Sequence, residues 1–168
     1  MQTKIYQIDE NSIESAVKLF LSSDVVAFPT ETVYGLGAVA TDSTAVKKIF
    51  EIKGRPADNP LIAHVHKDYD LNQLVYIEQD YVQKLRDAFT PGPLTMVFRS
   101  KGIVCSEAVC GGATLAVRIP SHKGCQNLLK AINKPIVAPS ANLSKHTSPV
   151  TAEHVYNDLN GKIQMILD

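Results

Sequence analysis

The apolar stretch Val25-Val26-Ala27-Phe28 breaks at Pro29 and runs into Thr30-Glu31-Thr32-Val33-Tyr34-Gly35-Leu36-Gly37. A short apolar run that stops at proline and continues as hydroxyls, one carboxylate and two glycines predicts a buried strand delivering polar groups to an open sheet end. Such ends are where α/β proteins place their ligands. No Gly-Lys-Ser/Thr follows, so the run is not a Walker loop. The Gly-x-Gly lacks a third glycine and opens no helix, so it is not a dinucleotide fingerprint either. Its glycines read as space for a ligand beside the backbone.

The rest of the chain alternates short apolar runs with amphipathic segments. A first strand over 1–8 precedes a helix capped by Asn11 or Ser12, with Ile13, Val17, Phe20 and Leu21 on one face. Asp42 caps the next helix, whose inner face is Val46, Ile49, Phe50 and Ile52. The segment 53–60, Lys-Gly-Arg-Pro-Ala-Asp-Asn-Pro, reads as a loop carrying two cations, because Gly54 and two prolines interrupt any helix. Strands follow over 61–65, 95–99, 114–118 and 136–138, and helices over 81–89, 124–131 and 151–159, before a final segment at 163–167. This order predicts an α/β (α+β) domain with a mixed sheet. Three strands end in proline plus polar residues, at Pro29, Pro120 and Pro139, which one shared site would explain.

Charge excludes little but usefully. Seventeen Lys plus Arg balance seventeen Asp plus Glu, which removes any bulk electrostatic case for a nucleic-acid coat or an anionic membrane. Cys105, Cys110 and Cys125 have neither Cys-x-x-Cys nor zinc-ribbon spacing and read as reduced thiols of a cytosolic protein. No run approaches the roughly 20 apolar residues of a membrane span, and no apolar h-region follows the start, so the cytoplasm is the expected compartment.

Within this frame the candidate site residues are few. Lys53 and Arg55 sit two apart, able to meet one phosphate ester as a point charge and a bidentate fork, or to be merely a solvated loop. Ser140 and Asn142 lie in a Pro-Ser-Ala-Asn turn that either presents polar groups to an anion or satisfies its own backbone. Arg118 lies in an otherwise apolar strand and needs a carboxylate partner or an anionic ligand, with Thr114 on the same strand face. His64 and His66 share a face but make no metal site by themselves, and Tyr34 is either a stacking or a core aromatic. No nucleophile has an attendant base, which argues against covalent catalysis.

Pro29 to Gly37, the Lys53-Gly54-Arg55-Pro56 loop with Asn59-Pro60-Leu61, Pro91-Gly92-Pro93-Leu94-Thr95, Arg118-Ile119-Pro120, and Ala138-Pro139-Ser140-Ala141-Asn142 with Ser148-Pro149 form an ordered set. In order and spacing they resemble the YrdC/Sua5 family of threonylcarbamoyl-adenylate synthases. The resemblance implies a twisted open mixed sheet with flanking helices and a concave, positively charged ligand face, the double-stranded-RNA-binding-like fold. It implies a nucleotidyltransferase that joins L-threonine, bicarbonate (or carbon dioxide) and ATP, accompanied by Mg²⁺, into threonylcarbamoyl-AMP and pyrophosphate. That is the first step towards N6-threonylcarbamoyladenosine in tRNA, with a separate threonylcarbamoyl transferase complex and tRNA as partners further on. By the same resemblance Thr30, His64, Arg118 and the Ala138 backbone form a threonine pocket. Lys53, Arg55, Thr114, Ser140, Asn142 and Ser148 contact the nucleotide, Lys53 and Arg55 stabilising the charge that develops, and no metal is held by protein ligands. The pattern departs from the family at Lys145, where glycine is usual. It also lacks the family's C-terminal strands after Asp168, so residues 1–168 are expected to be one domain, as a fragment or a natural truncation. Alternatives are a non-catalytic RNA-binding module of the same fold and a carbamoyl-transfer domain of hydrogenase-maturation type.

Overall fold

The computed structural model describes residues 2–56 and 58–168. Met1 and Ala57, which the sequence places in the first strand and in the 53–60 loop, lie outside the described residues. The chain runs β1 (Lys4–Tyr6), α1 (Glu10–Leu21), β2 (Val26–Phe28), β3 (Gly35–Val39), α2 (Ser43–Lys53), β4 (Ile62–His64) and, after a 3-10 turn, β5 (Val75–Tyr76). It continues α3 (Tyr81–Phe89), β6 (Thr95–Ser100), β7 (Thr114–Arg118), α4 (Lys123–Ile132), β8 (Ile136–Val137), α5 (Ala152–Leu159) and β9 (Met165–Leu167).

Local chemistry explains the helix ends. α1 starts at Asp9 rather than at Asn11 or Ser12: the Asp9 carboxylate accepts from the Ser12 N–H at 2.7 Å, and the Ser12 hydroxyl accepts from the Asp9 N–H at 2.9 Å. Ser12 is thus the return partner of a capping box, not the cap itself. The buried face shifts accordingly to Ser12, Ala16 and Phe20, leaving Leu21 exposed. Asp42 caps α2 as expected, accepting from the Ala45 N–H at 3.1 Å, and Gly54 ends that helix at φ +59°. Lys53 therefore belongs to the last helical turn and not to the loop that follows. The glycine-preferring turn at Lys145 does adopt a positive φ, of +72°, and the Asn142 side-chain amide braces it by donating to the carbonyls of Leu143 and His146.

The strands join one mixed sheet in the order β1-β9-β2-β3-β8-β4-β7-β6-β5. β3 was not anticipated. It pairs antiparallel with β2, Phe28 opposite Gly35, so that residues 29–34 are a hairpin loop rather than an open strand end. Its glycines pack against core side chains. A Cβ on Gly37 would lie 2.6 Å from the Phe28 ring and 2.8 Å from Ile136, so β3 can approach β2 and β8 only without a side chain there.

Two apolar layers form, on opposite sheet faces, because side chains alternate along every strand. Ala27, Ala63, Leu115, Val117 and Val137 face α2 and α5, while Val26, Phe28, Ile136 and Met165 face α1 and α4. α1 and α4 cover only the β2, β3, β8 and β9 side of that second face. Alternation and register then leave Thr95, Val97, Thr114, Ala116 and Arg118 on a helix-free stretch, where Val97 is 66% exposed. This bare patch beside α4 is the open face of the sheet.

Gly37→Ala should cost about 1 to 3 kcal/mol through overpacking. Urea unfolding of the two proteins measures it; an unchanged midpoint would show that β2 and β3 are not packed this closely.

Candidate functional site

The three proline-terminated strand exits do converge, and the hairpin loop 29–34 is their meeting point. Arg118, at the end of β7, donates from Nη2 to Glu31 Oε1 and, at 3.0 Å, to the Thr32 hydroxyl. The other Glu31 oxygen accepts from both the N–H and, at 2.7 Å, the hydroxyl of Ser121, just beyond Pro120. On the far side of the loop the Ala141 N–H donates to the Tyr34 carbonyl at 2.8 Å, and the Tyr34 N–H to the Pro149 carbonyl at 2.9 Å. Side chains of the loop hold β7 and its backbone holds the 139–149 segment.

One group of candidate residues gathers around Arg118. In register, Arg118 lies opposite Thr95 on one side and His64 on the other. Thr30 is close by but spends its hydroxyl on the turn itself, donating to the Val33 carbonyl at 2.6 Å. The Ala138 N–H donates to the Ile62 carbonyl, so that backbone N–H is already used. His64 is buried against the edge of Phe28, and burial, followed by the Arg118 charge, lowers its pKa from 6.5 to about 4. It is a neutral imidazole at pH 7. Burial would raise the Glu31 carboxyl, but the Ser121 hydrogen bonds and Arg118 outweigh it and hold the group below its ordinary value. Glu31 is the carboxylate partner that Arg118 needs within its strand. Arg118 Nε is buried and has no hydrogen-bond partner.

A second group surrounds the end of α2. The Lys53 ammonium is buried and donates to the carbonyls of Ser140, at 2.5 Å, and Asn142. The Lys53 carbonyl in turn accepts from the Ser144 N–H at 2.9 Å. Desolvation, reinforced by Arg55 and opposed by Asp158, lowers the lysine pKa from 10.5 to about 8. Asn142 is buried, with its amide nitrogen committed to its own turn and its Oδ1 unpartnered. Arg55 is half-buried, donates to the Asn59 carbonyl at 3.3 Å and leaves Nε without a partner. Ser148, next to the Pro149 that takes Tyr34, is exposed.

Thr114 shares the open face with Arg118 but lies four residues away along β7, roughly 13 Å at strand rise. It marks the opposite end of that face, beside Arg99, which is stacked 4.1 Å over the Tyr76 ring and paired with Glu78. With Arg118 and Arg99 each matched by a carboxylate, the positive charge expected of this face is locally neutralised. Ser121 and Asp158 were missed by sequence reading. Asp158 accepts from the Leu143 N–H at 3.0 Å and from His146, and so supports the turn beneath Lys53. No local signal marks either residue, since each matters only through a partner distant in sequence.

The fold and site define a mixed-sheet α/β protein whose candidate site lies where β2, β7 and β8 end. Residues 18–168 match the family model Sua5_yciO_yrdC, described as telomere recombination. The chain is 46% identical over 162 residues to the threonylcarbamoyl-AMP synthase of Pyrococcus abyssi (strain GE5 / Orsay), covering 96% of this chain and 48% of that protein. It is 44% identical over 177 residues to the threonylcarbamoyl-AMP synthase of Bacillus subtilis (strain 168), covering 100% of this chain and 51% of that protein. The crystal structure of P. abyssi Sua5 complexed with L-threonine superposes with a TM-score of 0.92 at 43% identity, over 99% of this chain and 50% of that one. The chain belongs to the Sua5/YciO/YrdC family. It spans about half the length of the curated relatives it matches.

The lowered Lys53 pKa has a pH signature. Between about 8 and 10.5 the unfolded chain holds a proton on this lysine that the folded chain has lost, so stability contributed at this site rises with pH across that window. Urea unfolding from pH 7.5 to 10.5 should show that rise in the native protein and not in Lys53→Met; parallel profiles would mean the ammonium is not desolvated.

Proposed function

We propose that this protein is a threonylcarbamoyl-AMP synthase, condensing L-threonine, bicarbonate or carbon dioxide and Mg²⁺-bound ATP to threonylcarbamoyl-AMP and pyrophosphate for tRNA modification. The observation that carries the reading is Arg118: a guanidinium on the open sheet face with a buried, unpartnered Nε, beside a neutral histidine. A carboxylate oxygen fits such a donor. Family membership and the similarity to a threonine-bound structure support threonine as the acid. Thr30, His64 and the Ala138 backbone border that position, and the end of α2, with Arg55, Ser140, Asn142 and Ser148, borders the phosphates.

The chemistry asks for positioning more than for a protein nucleophile. The neutral threonine amine adds to carbon dioxide and loses a proton, giving a carbamate. A carbamate oxygen attacks the α-phosphorus, and the bond to the bridging oxygen breaks as pyrophosphate leaves. His64, uncharged and buried, adds no repulsion to Arg118 and leaves that cation free for the amino-acid carboxylate. Arg55 lies at the mouth of the α2 turn with Nε unused and serves as the charge facing the departing pyrophosphate, while Lys53 holds the Ser140–Asn142 turn in shape and adds its charge. Mg²⁺ enters with ATP as part of that substrate. A threonylcarbamoyl transferase complex and tRNA take up the product, and the cytoplasm is the compartment; among the described residues no helix is long and apolar enough to cross a membrane.

Purified protein given labelled bicarbonate, L-threonine and Mg²⁺-ATP should form a labelled adenylate together with pyrophosphate, and no product with all four present would refute the reading. Arg55→Ala should raise the KM for ATP about tenfold with little effect on threonine, and Arg118→Ala the reverse. Equal effects on both substrates would refute the division of the site.

A further inference from the structure

A guanidinium on a flexible stem loses side-chain freedom when a ligand fixes it. Arg118 has that freedom removed in advance. Its side chain is 11% exposed, and Nη2 is tied to Glu31 and Thr32 while Nε stays buried and unpartnered. Glu31, 19% exposed, is fixed from behind by the N–H and hydroxyl of Ser121. The chain of contacts therefore runs Ser121, Glu31, Arg118, and leaves one buried N–H of the guanidinium without a partner.

We infer that Glu31 is a positioning residue: its carboxylate holds the Arg118 guanidinium so that the unpartnered Nε edge meets the carboxylate of the amino-acid substrate. The inference rests on the reading above, in which that substrate is L-threonine. Two features separate this role from others open to a carboxylate beside a reacting amine. Both Glu31 oxygens are occupied by the protein's own donors, and the group is held ionised, which makes it a poor acceptor for the amine proton. It also grips one distant stretch, 118–121, at two points 87 and 90 residues away, so that the carboxylate is fixed at both oxygens. Preorganisation of this kind lowers the cost of binding without adding a contact to the ligand.

The test uses Glu31→Gln, which keeps the shape and removes the charge, and Ser121→Ala, which removes only the hydroxyl donor behind it. By calorimetry Glu31→Gln should weaken L-threonine about tenfold and leave ATP unchanged, and Ser121→Ala should weaken threonine by about threefold. At saturating threonine kcat should stay within about twofold of the parent, the loss appearing in KM. NMR of the arginine side chains should show a slowly rotating Arg118 guanidinium in the parent and an averaged one in Glu31→Gln. Unchanged threonine affinity in Glu31→Gln, a collapse of kcat at saturation, or an Arg118 already averaged in the parent would each overturn the inference. A parent that binds no threonine, with Arg118 held in it and released in Glu31→Gln, would instead sink the threonine reading and support the clamp.

Discussion

The hairpin between β2 and β3 is the constraint on which the site depends. Phe28 and Gly35 are paired across it, so the six residues between them have nowhere to go but out over the sheet end. From there the Glu31 carboxylate reaches β7, and the Tyr34 backbone reaches the segment beyond β8. The end of β7 meets the loop through side chains, whereas the segment beyond β8 is joined to it by backbone pairing, Gly35 opposite Ser140 with the Ala141 N–H donating to the Tyr34 carbonyl. The close packing of Gly37 on Phe28 and Ile136 fixes the hairpin from beneath. A core contact thereby sets the place of a polar one.

Charge is handled in the same economical way throughout the site. Lys53 and Arg118 are both largely withdrawn from water, where an unmatched cation would be costly. Arg118 is matched by a full negative charge, and Lys53 only by carbonyl dipoles, with Asp158 acting from further away. The difference shows in the lysine pKa, which falls to about 8. It also divides their roles. Lys53 fastens the end of α2 to the 140–144 turn, and its charge is under-compensated there. Arg118 is compensated on one side and open on the other. Of these two cations, Lys53 is committed to the fold through the Ser140 and Asn142 carbonyls, and Arg118 keeps one N–H without a partner.

Much of the framework was legible from local pattern, and the misreadings have a common origin. Asp42 as a cap, the helix-stopping role of Gly54, the polar turns after Pro29, Pro120 and Pro139, and the shared strand face of Thr114 and Arg118 all follow from residues within a few positions of one another. β3 is not legible locally because its glycines carry no apolar alternation, and only the rings of Phe28 and Phe20 and the side chain of Ile136 show why a strand needs Gly37. Gly54 and Pro56 give Lys53 the local pattern of a loop residue, yet it closes α2 and its two carbonyl partners hold its ammonium in a buried position. The Asn142 amide nitrogen braces its own turn, and Oδ1 stays without a partner.

The sequence by itself determined the order of the elements, the caps and breaks that bound them, and the list of polar residues placed at strand ends, because periodicity, capping and turn chemistry act over a handful of residues. Only the tertiary structure decided which of those polar groups are free and which are consumed. Arg118 could not be assigned to a ligand or to an internal acid until Glu31, 87 residues away, was brought against it with Ser121 behind. Pairing across such distances depends on how the sheet closes around its core. A one-dimensional pattern carries no information on it, and the function of the site depends on it.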